Sequence, residues 1–232
     1  MPESTPQMSP EVNDDPGTEI LLPRRYPSQD RSRKKYQALL TAAREVLVEV
    51  GIDSFTCEEV ASRAGVPIGT LYQFFANKYV IVCELDRQDA HGVIAELESF
   101  ASKVPAPDWP ELLNDFLDHL AHLWGSDPSR RAVWLATQAT PGTRATAAVN
   151  EQELASIIAK VLAPLTPSTE RSHRAFMAEV LVHVAYSVLN FSVRNSSDSE
   201  TELHEQTITE LKRMLAAYLW LAERESSETD QH

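Results

Sequence analysis

Apolar residues recur at helical spacing along most of the chain. From Arg33 to Val50 the positions Tyr36, Leu39, Leu40, Ala43, Leu47 and Val50 follow at steps of three, one, three, four and three. That is the stripe one face of an α-helix presents to a core. Gly51 closes it, and Arg44, Glu45 and Glu49 take the other face. A short second helix is expected over about 57–64, where Thr56 caps free amides and Glu59, three residues on, completes a capping box. A third runs from Pro67 to Phe74. A linking helix over 78–101 follows the Asn77 cap, with Val80, Ile81, Leu85, Val93, Ile94, Leu97 and Phe100 as its apolar set. Further helices are expected over about 109–124, 128–139, 144–164, 168–196 and 199–224, and nowhere does the pattern alternate as a strand would. The fold class is all-α.

Proline supports these boundaries, since inside a helix it costs about 3 kcal/mol. Six of the 14 prolines fall within residues 2–27, among Ser, Thr, Asp and Glu, with no apolar period. Residues 1–23 therefore read as a disordered leader. The other eight leave proline-free windows that outline the helices. Gly51, Gly65, Gly125 and Gly142 fall at candidate helix ends, where glycine is cheap.

Charge divides the chain further. The formal net charge is -13, which rules out a uniformly basic surface. Residues 1–23 carry -5, residues 24–78 carry +3 and residues 79–232 carry -11. Within the middle segment Arg24, Arg25, Arg31, Arg33, Lys34 and Lys35 face Asp30 alone. A solvated helix start and a basic arm both fit that cluster. Cys57 and Cys83 are too few for a disulfide framework and are expected as buried thiols in a reducing compartment. With no signal peptide and no 18-residue apolar run, the expectation is a cytoplasmic protein and no membrane contact.

The second and third helices, joined at Gly65, form a helix-turn-helix over 56–75, a unit whose second helix fits a DNA major groove about 12 Å wide. Ala61, Val66, Leu71 and Phe75 are expected to lock the pair. Phe55-Thr56, Val60-Ala61, Ala64-Gly65-Val66, Gly69-Thr70-Leu71-Tyr72, Phe75 and Asn77-Lys78 resemble the signature of the TetR family of transcriptional regulators. The resemblance covers about residues 33–80. Pro67-Ile68 stand where many relatives carry Ser-Lys, so a lysine that often meets phosphate is absent.

The residues assign roles within that head. Gly69, two residues after Pro67 on the DNA-facing segment, lets the backbone come close to DNA. The hydroxyls of Thr70 and Tyr72, and the Lys78 ammonium, suit phosphate oxygens, which fix register without reading sequence. Gln73 suits base edges, since its amide can pair bidentately with adenine. Ile68 and Phe74 offer apolar contact to thymine methyls, with half-buried packing an equal reading for Phe74. Thr56 and Arg63 are placed near the DNA backbone. The resemblance also implies that the basic arm, Arg24, Arg25, Arg31, Arg33 and Lys34, reaches toward a minor groove or flanking phosphates.

Residues 81–232 are expected to form a helical ligand-binding and dimerisation domain. The segment 175–193 is apolar almost all round, interrupted by a stripe of Glu179, His183, Ser187, Asn190 and Arg194, so it must be covered on several sides. The resemblance implies a homodimer through the last two helices and a pocket for a small apolar or amphipathic effector. Trp109, Phe116, Trp134, Phe176, Met177 and Tyr186 are its candidate lining, with plain core as the alternative for each. His119 and His122 beside Asp118 lack a third ligand at a convincing spacing, and no metal or cofactor is expected. No phosphate-cradling loop or nucleophile elbow points to an enzyme. Two readings result: a repressor released from double-stranded operator DNA by its effector, and a helical ligand-binding or protein-interaction module that no longer grips DNA.

Overall fold

The computed structural model describes residues 20–102, 109–194 and 200–229, so the leader expected over 1–23 lies, up to residue 19, outside the described residues. Among these residues the chain forms helices and no strands. In order they are α1 (Asp30–Ser54), α2 (Cys57–Arg63), α3 (Ile68–Phe74), α4 (Lys78–Ala101), α5 (Trp109–Ser126), α6 (Pro128–Thr137), α7 (Pro141–Leu162), α8 (Arg171–Arg194) and α9 (Glu200–Thr229).

Two glycines set the path of the first three. Gly51, at φ 67°, breaks α1 one turn before its end, and Gly65, at φ 63°, reverses the chain between α2 and α3. Left-handed backbone is strained for residues with a Cβ, so glycine is the cheap occupant there. The stripe on α1 differs at its end from the expected one. Tyr36, Leu39, Leu40, Ala43 and Leu47 are buried together with Ala42 and Val46, whereas Val50, beside the Gly51 turn, is 46% exposed. At α2 only half of the capping box forms. Thr56 Oγ1 accepts from the Glu59 amide at 3.2 Å, but the Glu59 carboxylate pairs with Arg63 at 3.0 Å. A cation one turn along is the stronger partner for a carboxylate than a neutral amide. α7 starts three residues before the expected position, with Pro141 in its first turn and Thr140 and Thr143 capping reciprocally. Gly142 therefore sits inside a helix start.

The helices enclose two cores. The first joins α1, α2, α3, the N-terminal half of α4, and Val133 and Ala136 of α6. Ala61, Leu71 and Phe75 are buried in it and Val66 packs against it, the lock expected from the sequence. The second joins the C-terminal half of α4 to α5, α7, α8 and α9. α4 belongs to both: Val80, Ile81 and Leu85 serve the first, Ile94 and Leu97 the second. Cys57 and Cys83 are buried free thiols, and burial pushes Cys83 up to about 11. No helix of the described residues is long and apolar enough to cross a membrane.

Candidate functional site

α3 buries Leu71 and Phe74 and turns Pro67, Ile68, Gly69, Tyr72 and Gln73 outward, with Thr70 half-buried between them. The pattern follows from helix period: residues 71 and 74 share the face toward Tyr36, whose ring lies 5.2 Å from Phe74 edge-on and 5.0 Å from Phe75 stacked. Phe74 is only 1% exposed, so it is core and the thymine-methyl contact considered for it is excluded. A Cβ at Gly69 would meet nothing within 4 Å. The chain's own packing does not require glycine there; the missing side chain leaves the outer backbone of α3 open to close approach.

The basic segment is split in two by its contacts. Arg24 and Arg25 fold back onto α3. The Arg24 amide donates to the Phe74 carbonyl at 2.7 Å and its guanidinium to the Tyr72 carbonyl at 3.0 Å, supplying partners to orphan carbonyls at the helix end. Arg25 donates to Gln73 Oε1 at 2.8 Å and lies 5.1 Å above the Phe74 ring. The strap formed by residues 20–26 is pinned at both ends. Leu21 donates its amide to Thr146 Oγ1 of α7 at 2.9 Å, Pro23 is buried, and the Tyr26 hydroxyl takes a bond from Arg87 of α4 at 3.0 Å. The apolar Leu21, Pro23 and Tyr26 around the two arginines were the sequence signal for this docking. Farther along, Arg33 bonds the Ser28 carbonyl at 2.9 Å and lies 3.4 Å from Asp30. Arg31 and Lys34 are exposed with no partner among the described residues.

Two further cations expected near phosphates have partners inside the chain. Arg63 bridges Glu49, at 2.8 Å, and Glu59, at 3.0 Å. That pairing holds the Glu49 carboxyl below its ordinary range and the guanidinium above its own. Lys78 Nζ donates to the carbonyl of Ile52 at 2.8 Å and to those of Asp53 and Phe55 at 3.4 Å, closing the C-terminal end of α1. Thr56 is spent on its own helix cap. The Tyr72 hydroxyl lies 3.4 Å from Glu58, and neighbouring Cys57 and Glu58 raise its ionisation above the ordinary tyrosine value.

The second core holds a cavity of about 120 Å³ whose lining is wholly apolar surface. Phe100 and Phe116 stack at 5.0 Å on one wall, and Leu154, Ile158, Leu181 and Leu215 bring in α7, α8 and α9. Of the six candidate lining residues, Phe116 and Tyr186 face it. Met177 is buried in the same core, and Trp134 lines a separate, polar recess. Phe176 is 59% exposed, a correction to its expected place in the lining: α8 is covered on one side and shows Phe176 and Phe191 on the other. The side chain of Trp109 lies outside the described residues. Most of the lining is aliphatic, and leucine at helical spacing reads the same in a sequence whether it fills a core or walls a cavity. Among the described residues no three His, Cys, Asp or Glu come together as a metal site would require, and His119 lies 3.5 Å from Glu96.

The description "Bacterial regulatory proteins, tetR family" matches residues 39–85, and "Tetracyclin repressor-like, C-terminal domain" matches 107–223. An uncharacterized HTH-type transcriptional regulator of Bacillus subtilis is 27% identical over 93 residues, 40% of this chain and 42% of that protein. A fatty acid metabolism regulator protein of the same organism is 34% identical over 68 residues, 29% of this chain and 35% of its own length. The chain thus matches less than half the length of these curated relatives. Among solved structures, the fatty acid degradation regulator FadR of Bacillus halodurans superposes with a TM-score of 0.62 at 16% identity, covering 82% of this chain and 97% of that one. A putative TetR-family regulator from Mesorhizobium loti superposes with 0.62 at 21% identity, covering 82% and 98%. At such identities the likeness is one of fold.

Proposed function

The chain belongs to the tetR family of bacterial regulatory proteins, and from that premise we propose that it is a cytoplasmic transcriptional repressor. It binds double-stranded operator DNA as a homodimer and is released by a small apolar or amphipathic effector. The observation that carries the DNA-binding half is the outward face of α3. It is uncharged and open at Gly69, and the first turns of α1 add Arg31 and Lys34, exposed cations with no partner among the described residues. Ile68 and Gln73 are the base-facing side chains of that face. Thr70 and Tyr72 serve phosphates, with Pro67 and Gly69 at the close approach. Arg24 and Arg25 act by holding α3 rather than as a loose arm.

Dimerisation is assigned to α8 and α9. Phe176 and Phe191 on α8, and Met214, Trp220 and Leu221 on α9, are exposed apolar side chains on the last two helices. Large apolar side chains left exposed on two neighbouring helices suit an association surface. Two heads on a two-fold axis then meet two half-sites of a palindrome.

The effector site is the apolar cavity. Its walls ask for hydrocarbon, in keeping with the names of the two fatty-acid regulators among the relatives. Release follows because α4 serves both cores. A ligand that fits the cavity better in one placement of α4 biases the heads toward the matching spacing.

Footprinting on the DNA flanking the protein's own gene tests the reading. Protection of a palindrome that weakens steeply between about 50 and about 200 mM salt, as counterion release at phosphate contacts demands, supports it. No protection at low salt overturns it in favour of a module that does not grip DNA.

A further inference from the structure

Tyr186 stands in the wall between the apolar cavity and a small recess of about 20 Å³ lined by Asp86, Asp89, Arg130 and Trp134; Val93 and Tyr186 belong to both linings. A space of that size holds one water-sized group. The charges around it leave a surplus. Arg44 is taken by Asp89 through two hydrogen bonds of 2.7 and 3.1 Å, Arg87 by Glu84, and Arg130 lies 3.8 Å from Asp127. Asp86 has no cation within ion-pair distance among the described residues; its hydrogen bond of 2.6 Å comes from the neutral amide of Asn150. The Tyr186 hydroxyl, beside it, makes no hydrogen bond among the described residues. Loss of water at Asp86, with Asp89 and Glu151 nearby, pushes its carboxyl up to about 6, and the same enclosure raises the Tyr186 hydroxyl.

An enclosed carboxylate without a counter-charge weakens a fold. Separated from the apolar cavity by the wall that Val93 and Tyr186 share, and beside a free hydroxyl and two aromatic rings, it is suited to receive a cation from outside. Size narrows the cation. The recess takes an ammonium and excludes a trimethylammonium, while the like charge of Asp86 opposes a carboxylate. The apolar cavity, somewhat below the ~150 Å³ that accepts benzene, takes about six carbons.

Resting on the effector reading of this cavity, we propose that the effector is a primary amine on a hydrocarbon of about six carbons, its ammonium held by Asp86 and Tyr186 and its hydrocarbon in the apolar cavity. The amine donates to the Asp86 carboxylate and the Tyr186 oxygen, and Asn150 keeps the carboxylate turned toward the recess. The two-part site explains why polar groups gather at one end of an otherwise wholly apolar enclosure.

Titration of the full chain with hexylamine, hexanol, hexanoate and hexyltrimethylammonium at pH 7.5, followed by NMR chemical shifts, tests the assignment. Hexylamine is expected to bind about tenfold more tightly than hexanol, the step that one charge-assisted contact of about 1.4 kcal/mol gives, with hexanoate and the quaternary amine weaker than both. Asp86→Asn should bring hexylamine to the level of hexanol, with an unchanged helical circular dichroism spectrum as the check on folding. Tyr186→Phe should lower hexylamine binding more than hexanol binding. Hexanol or hexanoate binding as tightly as hexylamine overturns the ammonium site while leaving the apolar cavity standing, as does an Asp86→Asn variant that keeps its amine preference. No binding by any of the four overturns both.

Discussion

Arg25 reaches Gln73 Oε1 at 2.8 Å, and because a guanidinium has no acceptor the atom it meets must be the amide oxygen. The amide hydrogens of Gln73 are thereby turned outward, and its oxygen is already partly committed. That favours bases offering acceptors and changes the bidentate adenine pairing expected from glutamine alone. Arg25→Ala is expected to relax base preference at the position Gln73 reads, as Gln73→Ala does. Lys34→Ala should weaken all sequences alike and lower the salt slope by about one. Selection from a randomised operator pool, repeated at two salt concentrations, separates the two. Asp86 responds to pH, since burial pushes its carboxyl up to about 6 in the folded chain against 3.8 when free. Between those values the folded state holds a proton that the unfolded chain has lost. The group's contribution to stability is therefore full below about pH 4, falls as pH rises through 6, and stays low above it. Asp86→Asn removes the charge and keeps an acceptor for Asn150, so at pH 7.5 it should stabilise by about 1–2 kcal/mol once water reaching the recess is allowed for. Thermal melts at pH 7.5 and 4.5 check this, the gain shrinking at the lower pH.

Among elements, α4 carries the most consequence because its two halves serve different cores. It runs unbroken through Gly92, where an added Cβ would lie 3.8 Å from an Arg130 nitrogen, an ordinary contact. Gly92→Ala should therefore raise stability by about 0.5–1 kcal/mol, seen as a higher melting temperature. If release needs α4 to flex there, the effector concentration for half-release should rise with it. α3 shows the opposite sensitivity. Phe74→Ala would empty a site between Tyr36 and Phe75 and cost about 3–5 kcal/mol, so DNA binding and the first unfolding transition in circular dichroism should be lost together. The helices themselves were readable from period, proline and caps. Their ends moved where local partners competed, as at Thr140, whose box with Thr143 draws α7 forward to Pro141.

For the whole molecule, the -13 charge resolves into a +3 head on a -11 body. The acidic surplus lies on helices that would be kept away from phosphate. Trp220, 52% exposed on α9, is one of the apolar side chains assigned to the dimer. Trp220→Glu should shift sedimentation from dimer to monomer and abolish cooperative binding to a palindrome, with the helical content unchanged. Local physics governs what could be read from the order of residues alone. The 3.6-residue period set the helices, glycine the two left-handed turns, and the order of small and apolar residues from Phe55 to Lys78 the head and its outward α3. Contacts between residues far apart in the chain emerge only in the packed fold. Arg24 and Arg25 were readable as a basic arm, but their docking on α3 depends on Thr146 and Arg87 lying beside them. The charge of Lys78 was visible, but not the carbonyls of α1 that hold it. Aliphatic positions cannot announce a cavity, since a leucine that meets a neighbour and one that meets a void have the same period. The unpaired carboxylate of Asp86 shows only once every nearby cation has found another partner, because a charge balance is a property of the assembled neighbourhood.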